Sequence, residues 1–137
     1  LDDQYFMQQA LREAHKAFEN GEVPVGAIVV INNRIITRAY NLTETLNDVT
    51  AHAEMQAITA AANVLGGKYL TGCTLYVTVE PCPMCAGALR WAQISRIVYG
   101  GSIYGLSYCT KNTLSALLRG PRPFQIRVSF PEGLERP

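Results

Sequence analysis

Residues Cys73–Gly100 read CTLYVTVEPCPMCAGALRWAQISRIVYG, and this stretch decides the fold. Cys73 to Val79 alternates and is rich in β-branched side chains, as a strand requires. Pro83 suits a helix N-terminus, where its missing N–H costs nothing, so Cys82 to Ala92 is expected to be helical. Ile97-Val98-Tyr99 supplies the next strand. Strand, helix and strand in this order imply a right-handed crossover and a parallel strand pair.

Upstream, Pro24 precedes the short apolar run Val25-Gly26-Ala27-Ile28-Val29-Val30-Ile31, which reads as a buried strand. Asn32-Asn33 tolerates the positive φ of a tight hairpin turn, and Arg34 to Ala39 returns as the second strand. Ahead of the hairpin, Asp2 or Asp3 can cap a helix whose apolar positions Met7, Leu11, Ala14 and Phe18 recur at helical steps, and Gly21 is its stop. Tyr40 to Val49 is a polar loop. A second helix follows from Ala51 to Leu65, with Thr50 or Asp48 as caps and Gly66-Gly67 as its end.

A hairpin followed by a βαβ unit predicts an α/β fold, a three-layer α/β/α domain with a mixed central sheet. The whole of residues 1–137 is expected to form a single domain. Past Gly101 the signals thin to a short helix over Asn112 to Arg119 and a strand over Gln125 to Phe130, interrupted by prolines.

Composition agrees with this architecture. At 48% hydrophobic and 17% charged residues, the 137-residue chain can bury a core. No apolar run approaches the roughly 18 residues that cross a bilayer, which argues against a membrane protein. The acidic start Leu1-Asp2-Asp3-Gln4 does not read as an export signal, and its opening on Leu suggests that a few starting residues are missing. The four cysteines are therefore expected in a reducing cytoplasm, where metal binding or catalysis outranks disulfides. The net charge of +1 hides an asymmetry: between Lys111 and Arg127 stand four cations, Lys111, Arg119, Arg122 and Arg127, and no acid. Such a stretch can meet phosphates, or it can be a plain solvated face.

Two short segments carry the chemistry: His52-Ala53-Glu54 at the start of the second helix, and Pro81-Cys82-Pro83-Met84-Cys85 at a strand-to-helix junction. Cys82 and Cys85 are one helical turn apart, so both sulfurs can grip a single ion. The helix dipole favours their thiolates. His52 completes an N,S,S set, which suits zinc. Three protein ligands leave one corner of a tetrahedron for water, the catalytic arrangement; a fourth would make the site structural. The candidates for a fourth are Cys73, Cys109 and His15. Cys73 opens its strand, on the order of 20 Å or more from Cys82 at ~3.3 Å per residue. His15 is expected at the surface, and Cys109 lies where the fold is hardest to read.

Glu54, two residues past His52, projects from a different side of the helix and is expected to move protons rather than to bind metal. Taken alone it would be an ordinary first-turn acid, and Cys-x-x-Cys alone could be a redox pair. Their combination with His52 separates those readings. Met55 and Met84 are read as core filler.

His-x-Glu followed by Pro-Cys-x-x-Cys is the signature of zinc-dependent deaminases. Glu22-Val23-Pro24-Val25-Gly26-Ala27, Asp48 to Met55 and Leu75 to Ala88 closely resemble the bacterial tRNA-specific adenosine deaminases, a resemblance that covers about residues 3 to 101. It implies a cytidine-deaminase-like fold and a cytoplasmic homodimer. The implied activity is conversion of adenosine to inosine at the wobble position of a tRNA anticodon stem-loop. Carried over by residue, His52, Cys82 and Cys85 match the ligands of one Zn2+ per chain, Glu54 the proton shuttle, and Asn41 and Ala53 substrate-binding positions.

The resemblance stops where Gly100-Gly101-Ser102-Ile103 stands in place of Gly-Ala-x-Asp, and the sequence of residues 102–137 does not show the Glu-Cys pair and Phe-Phe that mark the family's long final helix. A truncated or altered C-terminus is one explanation. Two rival readings follow: a deaminase of a free base such as guanine or cytosine, and a non-catalytic zinc module that binds RNA.

Overall fold

The computed structural model describes residues 1–100 and the strand at 126–129. Its elements run α1 (Asp3–Glu19), β1 (Gly26–Ile31), β2 (Arg34–Tyr40), α2 (Ala53–Leu65), β3 (Thr74–Val77), α3 (Pro83–Trp91), β4 (Arg96–Gly100) and β5 (Ile126–Ser129). The predicted helix over Asn112 to Arg119, Cys109, Ile103 and most of the basic stretch lie outside the described residues.

The five strands form one sheet in the order β2-β1-β3-β4-β5. The hairpin β1–β2 is antiparallel and turns on Asn32 and Asn33 at φ 51° and 63°, the left-handed values that asparagine tolerates. A bulge interrupts its register between Val29 and Val30. β3 and β4 are parallel, joined by α3 as the sequence predicts. β1 lies antiparallel against β3, so the hairpin is fused to the crossover unit through its first strand. β5 closes the far edge antiparallel to β4, within the predicted strand Gln125 to Phe130.

Strand alternation divides the core in two. Ile28, Val30, Tyr76 and Val98 face α1 and pack with Phe6, Met7 and Ala10. Ala27, Val29, Leu75, Val77 and Ile97 face the other way and pack with Ala57 and Ala61 of α2 and Leu89 of α3. One helix on one face and two on the other give the three-layer α/β/α arrangement. None of the described helices is long and apolar enough to cross a membrane.

Asp2 caps α1, accepting from the Tyr5 N–H at 2.9 Å. The helix approaches the sheet closely at Gly26, where a Cβ would stand 2.2 Å from the Ala10 backbone oxygen. Two expectations about helix faces need correction. Phe18 is 57% exposed, not core. In the same last turn Ala17 is fully buried, so the inward face of α1 passes through Ala14 and Ala17 and leaves Phe18 outside it. Met84 is likewise 37% exposed, on the outer face of α3.

Candidate metal centre

The second helix starts later than predicted, and its N-cap is His52 in place of Thr50 or Asp48. Asp48 instead closes a local turn, its Oδ1 accepting from the Thr50 N–H at 2.8 Å and hydroxyl at 2.7 Å. His52 has extended backbone (φ −67°, ψ 156°) and makes no side-chain cap. Its ring turns to α3. There Cys82 is the N-cap, its Sγ 3.5 Å from the Cys85 N–H, with Pro83 in the first turn. Two helix starts therefore converge.

The His52 Nδ1 lies 3.6 Å from Cys82 Sγ and 3.5 Å from Cys85 Sγ. A tetrahedral zinc with Zn–N of ~2.05 Å and Zn–S of ~2.3 Å demands an N···S edge of about 3.6 Å. The spacing thus fits this ion, and the three donor atoms all lie within 4.8 Å of one another. Electrostatics point the same way. Burial pushes the Cys85 thiol far up from its ordinary value, and the Glu54 carboxylate and Cys82 push it further. Without a cation these surroundings favour the neutral thiol, and a bound divalent ion would invert the direction of the shift. Burial lowers the His52 pKa, which favours the neutral imidazole that ligates metals.

Cys85 and Glu54 are fully buried, whereas His52 and Cys82 are half-buried, so the cluster has a closed side and an accessible one. Among the described residues, no further histidine, cysteine or acid joins the three donors. Cys73 is buried at the opposite end of β3, and His15 is exposed on α1. Glu54 stays out of the donor group yet acts electrostatically on Cys85, so it stands beside the site. Ala53 is buried as the first residue of α2.

Asn41 is fully buried at the end of β2 and is tied to a residue that the sequence did not single out. Its Nδ2 donates to Glu22 Oε1 at 3.3 Å and to Thr43 Oγ1 at 2.9 Å. Glu22 looks in sequence like a surface acid after a helix stop. Nothing local to it signals burial, because the donors that satisfy it lie about twenty positions downstream. Between this loop and the metal donors opens a cavity of about 300 Å³, lined by Val23, Thr43, Glu44, Asp48, Val49 and His52 among others. On the other side of α3, Met55, Pro83, Met84, Gly87, Ala88 and Trp91 line an apolar depression, and Trp91 is 83% exposed.

Comparison with known proteins agrees with this geometry. Residues 1–101 match the cytidine and deoxycytidylate deaminase zinc-binding region. The chain is 53% identical over 98 residues to a tRNA-specific adenosine deaminase of Bacillus subtilis, covering 72% of this chain and 61% of that protein. It is 55% identical over 99 residues to a tRNA-specific adenosine deaminase of Aquifex aeolicus, covering 72% of this chain and 66% of that one. The chain thus spans less than two thirds of these relatives' length. Among solved structures, one from studies of A-to-I editing by tRNA:A34 deaminases superposes with a TM-score of 0.71 at 50% identity, covering 74% of this chain and 73% of the other. Guanine deaminase from Bacillus subtilis gives a TM-score of 0.71 at 38% identity, covering 74% of this chain and 66% of its own.

Proposed function

Because the chain belongs to the cytidine and deoxycytidylate deaminase zinc-binding family, we propose that it is a zinc-dependent hydrolase that converts adenosine to inosine at the wobble position of a tRNA anticodon. The observation that carries this reading is the convergence of His52, Cys82 and Cys85 at tetrahedral spacing with buried Glu54 beside them. Its substrate class rests on the similarity to tRNA-specific adenosine deaminases.

His52, Cys82 and Cys85 would hold one zinc, which would supply Lewis acidity at the site. Glu54 would accept a proton from the attacking water and deliver it to the ring nitrogen of adenine as the water oxygen adds to C6. A second transfer through the same carboxylate releases the amine as ammonia, so adenosine and water become inosine and ammonia. Burial of Glu54 keeps bulk water from competing for the proton. Asn41 and Ala53, on the loop and at the helix start that flank the donors, orient the base.

The chain acts in the cytoplasm, where the thiols stay reduced, as a single-domain protein and a homodimer. The exposed apolar surface around Trp91 and Met84 supports a protein interface of this kind. The four cations from Lys111 to Arg127, with no acid among them, are suited to RNA phosphates.

Similarity to guanine deaminase favours a second reading, deamination of a free base. Incubation with an anticodon stem-loop carrying adenosine at the wobble position, beside free guanine, cytosine and adenosine, separates them. Inosine in the RNA is expected, with RNA affinity falling steeply as salt rises. Ammonia from a free base alone overturns the RNA reading.

A further inference from the structure

The carboxylate of Glu22 is 1% exposed, far more deeply buried than its place between a helix stop and a strand suggests. Its Oε1 accepts from Asn41 Nδ2 at 3.3 Å and from the Glu44 N–H at 3.0 Å. Its Oε2 accepts from the Thr45 N–H at 2.6 Å and from the Thr45 hydroxyl. Four donors from Asn41 to Thr45 thus converge on one side chain. The start of the segment is also tied by backbone hydrogen bonds, Asn41 N–H to Val25 O at 3.1 Å and Leu42 N–H to Ala51 O at 2.9 Å. The second bond joins the loop to the residue before His52, and Thr43 and Glu44 line the cavity that reaches His52.

This arrangement fixes the polarity of Asn41. With Nδ2 engaged by Glu22 and Thr43, the amide oxygen is left over, and Oδ1 is buried with no hydrogen-bond partner among the described residues. An unmet buried acceptor is costly, and a ligand that donates to it recovers that cost. We infer that Glu22 is a positioning residue that holds the Asn41–Thr45 loop and turns the Asn41 amide so that it offers substrate an acceptor, selecting a donor group on the nucleoside. The inference rests on the deaminase reading for its substrate and on the Glu22 contacts for everything else.

The test exchanges amide and acid. Glu22→Gln replaces one acceptor oxygen with an amine that faces the Asn41 Nδ2 or a backbone N–H. On whichever substrate the wild type turns over, it is expected to raise KM about tenfold, with kcat changed far less and zinc content unchanged. Asn41→Asp sets two carboxylates against each other and is expected to raise KM at least as much. In the double variant Glu22→Gln, Asn41→Asp, the new amine donates to the new carboxylate and an acceptor oxygen is still left over, so KM is expected to recover in part.

If Glu22→Gln leaves KM unchanged, or the double variant is no better than Asn41→Asp, the inference is wrong. Should the wild type deaminate nothing, the functional reading falls instead. Hydrogen exchange at the Glu44 and Thr45 amides then still decides the role of Glu22. Exchange about tenfold faster in Glu22→Gln, with the sheet amides unaffected, supports it, and unchanged exchange overturns it.

Discussion

His52 Nδ1 lies 3.5 Å from Cys85 Sγ although thirty-three positions separate the two residues. Neither side chain reaches the other through local structure; α2 and α3 must both dock on the same face of the sheet for the pair to form. Metal binding and folding are coupled through this contact. Cys85→Ala is expected to lower zinc content from one per chain to near zero, read by elemental analysis. Chelation of the wild type is expected to lower Tm by about 10 °C, the shift that follows from losing a ligand held well above its Kd. A variant that retains stoichiometric zinc would refute the assignment of this ligand.

Glu54 is the most sharply separable group. Because it lies outside the three donors, Glu54→Gln should leave zinc content and Tm close to wild type while turnover falls by about 10²- to 10⁴-fold. Single-turnover assays alongside metal analysis check both halves. Full activity in this variant contradicts the proton-shuttle role.

Gly26 meets the α1 backbone with no room to spare. An added Cβ would lie 2.2 Å from Ala10 O and 2.4 Å from Ala14 N, and backbone atoms cannot swing aside as a flexible side chain can. Gly26→Ala is therefore expected to destabilise by about 1–3 kcal/mol through overpacking. Urea unfolding should show a lower midpoint with an unchanged slope.

Asp3 and Arg96 join the first helix to β4 by two hydrogen bonds, at 2.9 and 2.6 Å, and the Tyr76 hydroxyl adds a third at 2.6 Å. The Arg96 guanidinium holds the Asp3 carboxyl below its ordinary value. A depressed folded pKa means that the stabilisation is complete above the unfolded value of about 3.9 and disappears as pH falls through the lower, folded value. Both side chains keep partial solvent contact, so Asp3→Asn is expected to cost only about 1 kcal/mol at pH 7. Thermal melts from pH 7 to pH 2.5 should show the two proteins converging only below about pH 4.

Trp91 is 83% exposed beside Met84, and the proposed homodimer would bury it if this face is the interface. Trp91→Glu is expected to move sedimentation from dimer to monomer at micromolar concentration while zinc content stays at one per chain. A dimer that persists at the same concentrations places the interface elsewhere.

The sequence by itself determined the elements and the donor types. Strand alternation divides Ala27, Val29, Leu75 and Val77 from Ile28, Val30 and Tyr76 just as the two core clusters do. The Asn32-Asn33 turn, the Asp2 cap, the Gly66 stop and the position of Pro83 are short-range effects, readable because they depend on backbone dihedrals within a few residues. Only the tertiary structure decided that β1 pairs antiparallel with β3, that Phe18 stays exposed, and that the ring of the N-cap residue His52 faces two thiols. It alone placed Glu22 beneath the Asn41 loop. These depend on which faces meet across long stretches of chain, where burial and hydrogen-bond satisfaction are settled jointly by residues that no local pattern connects.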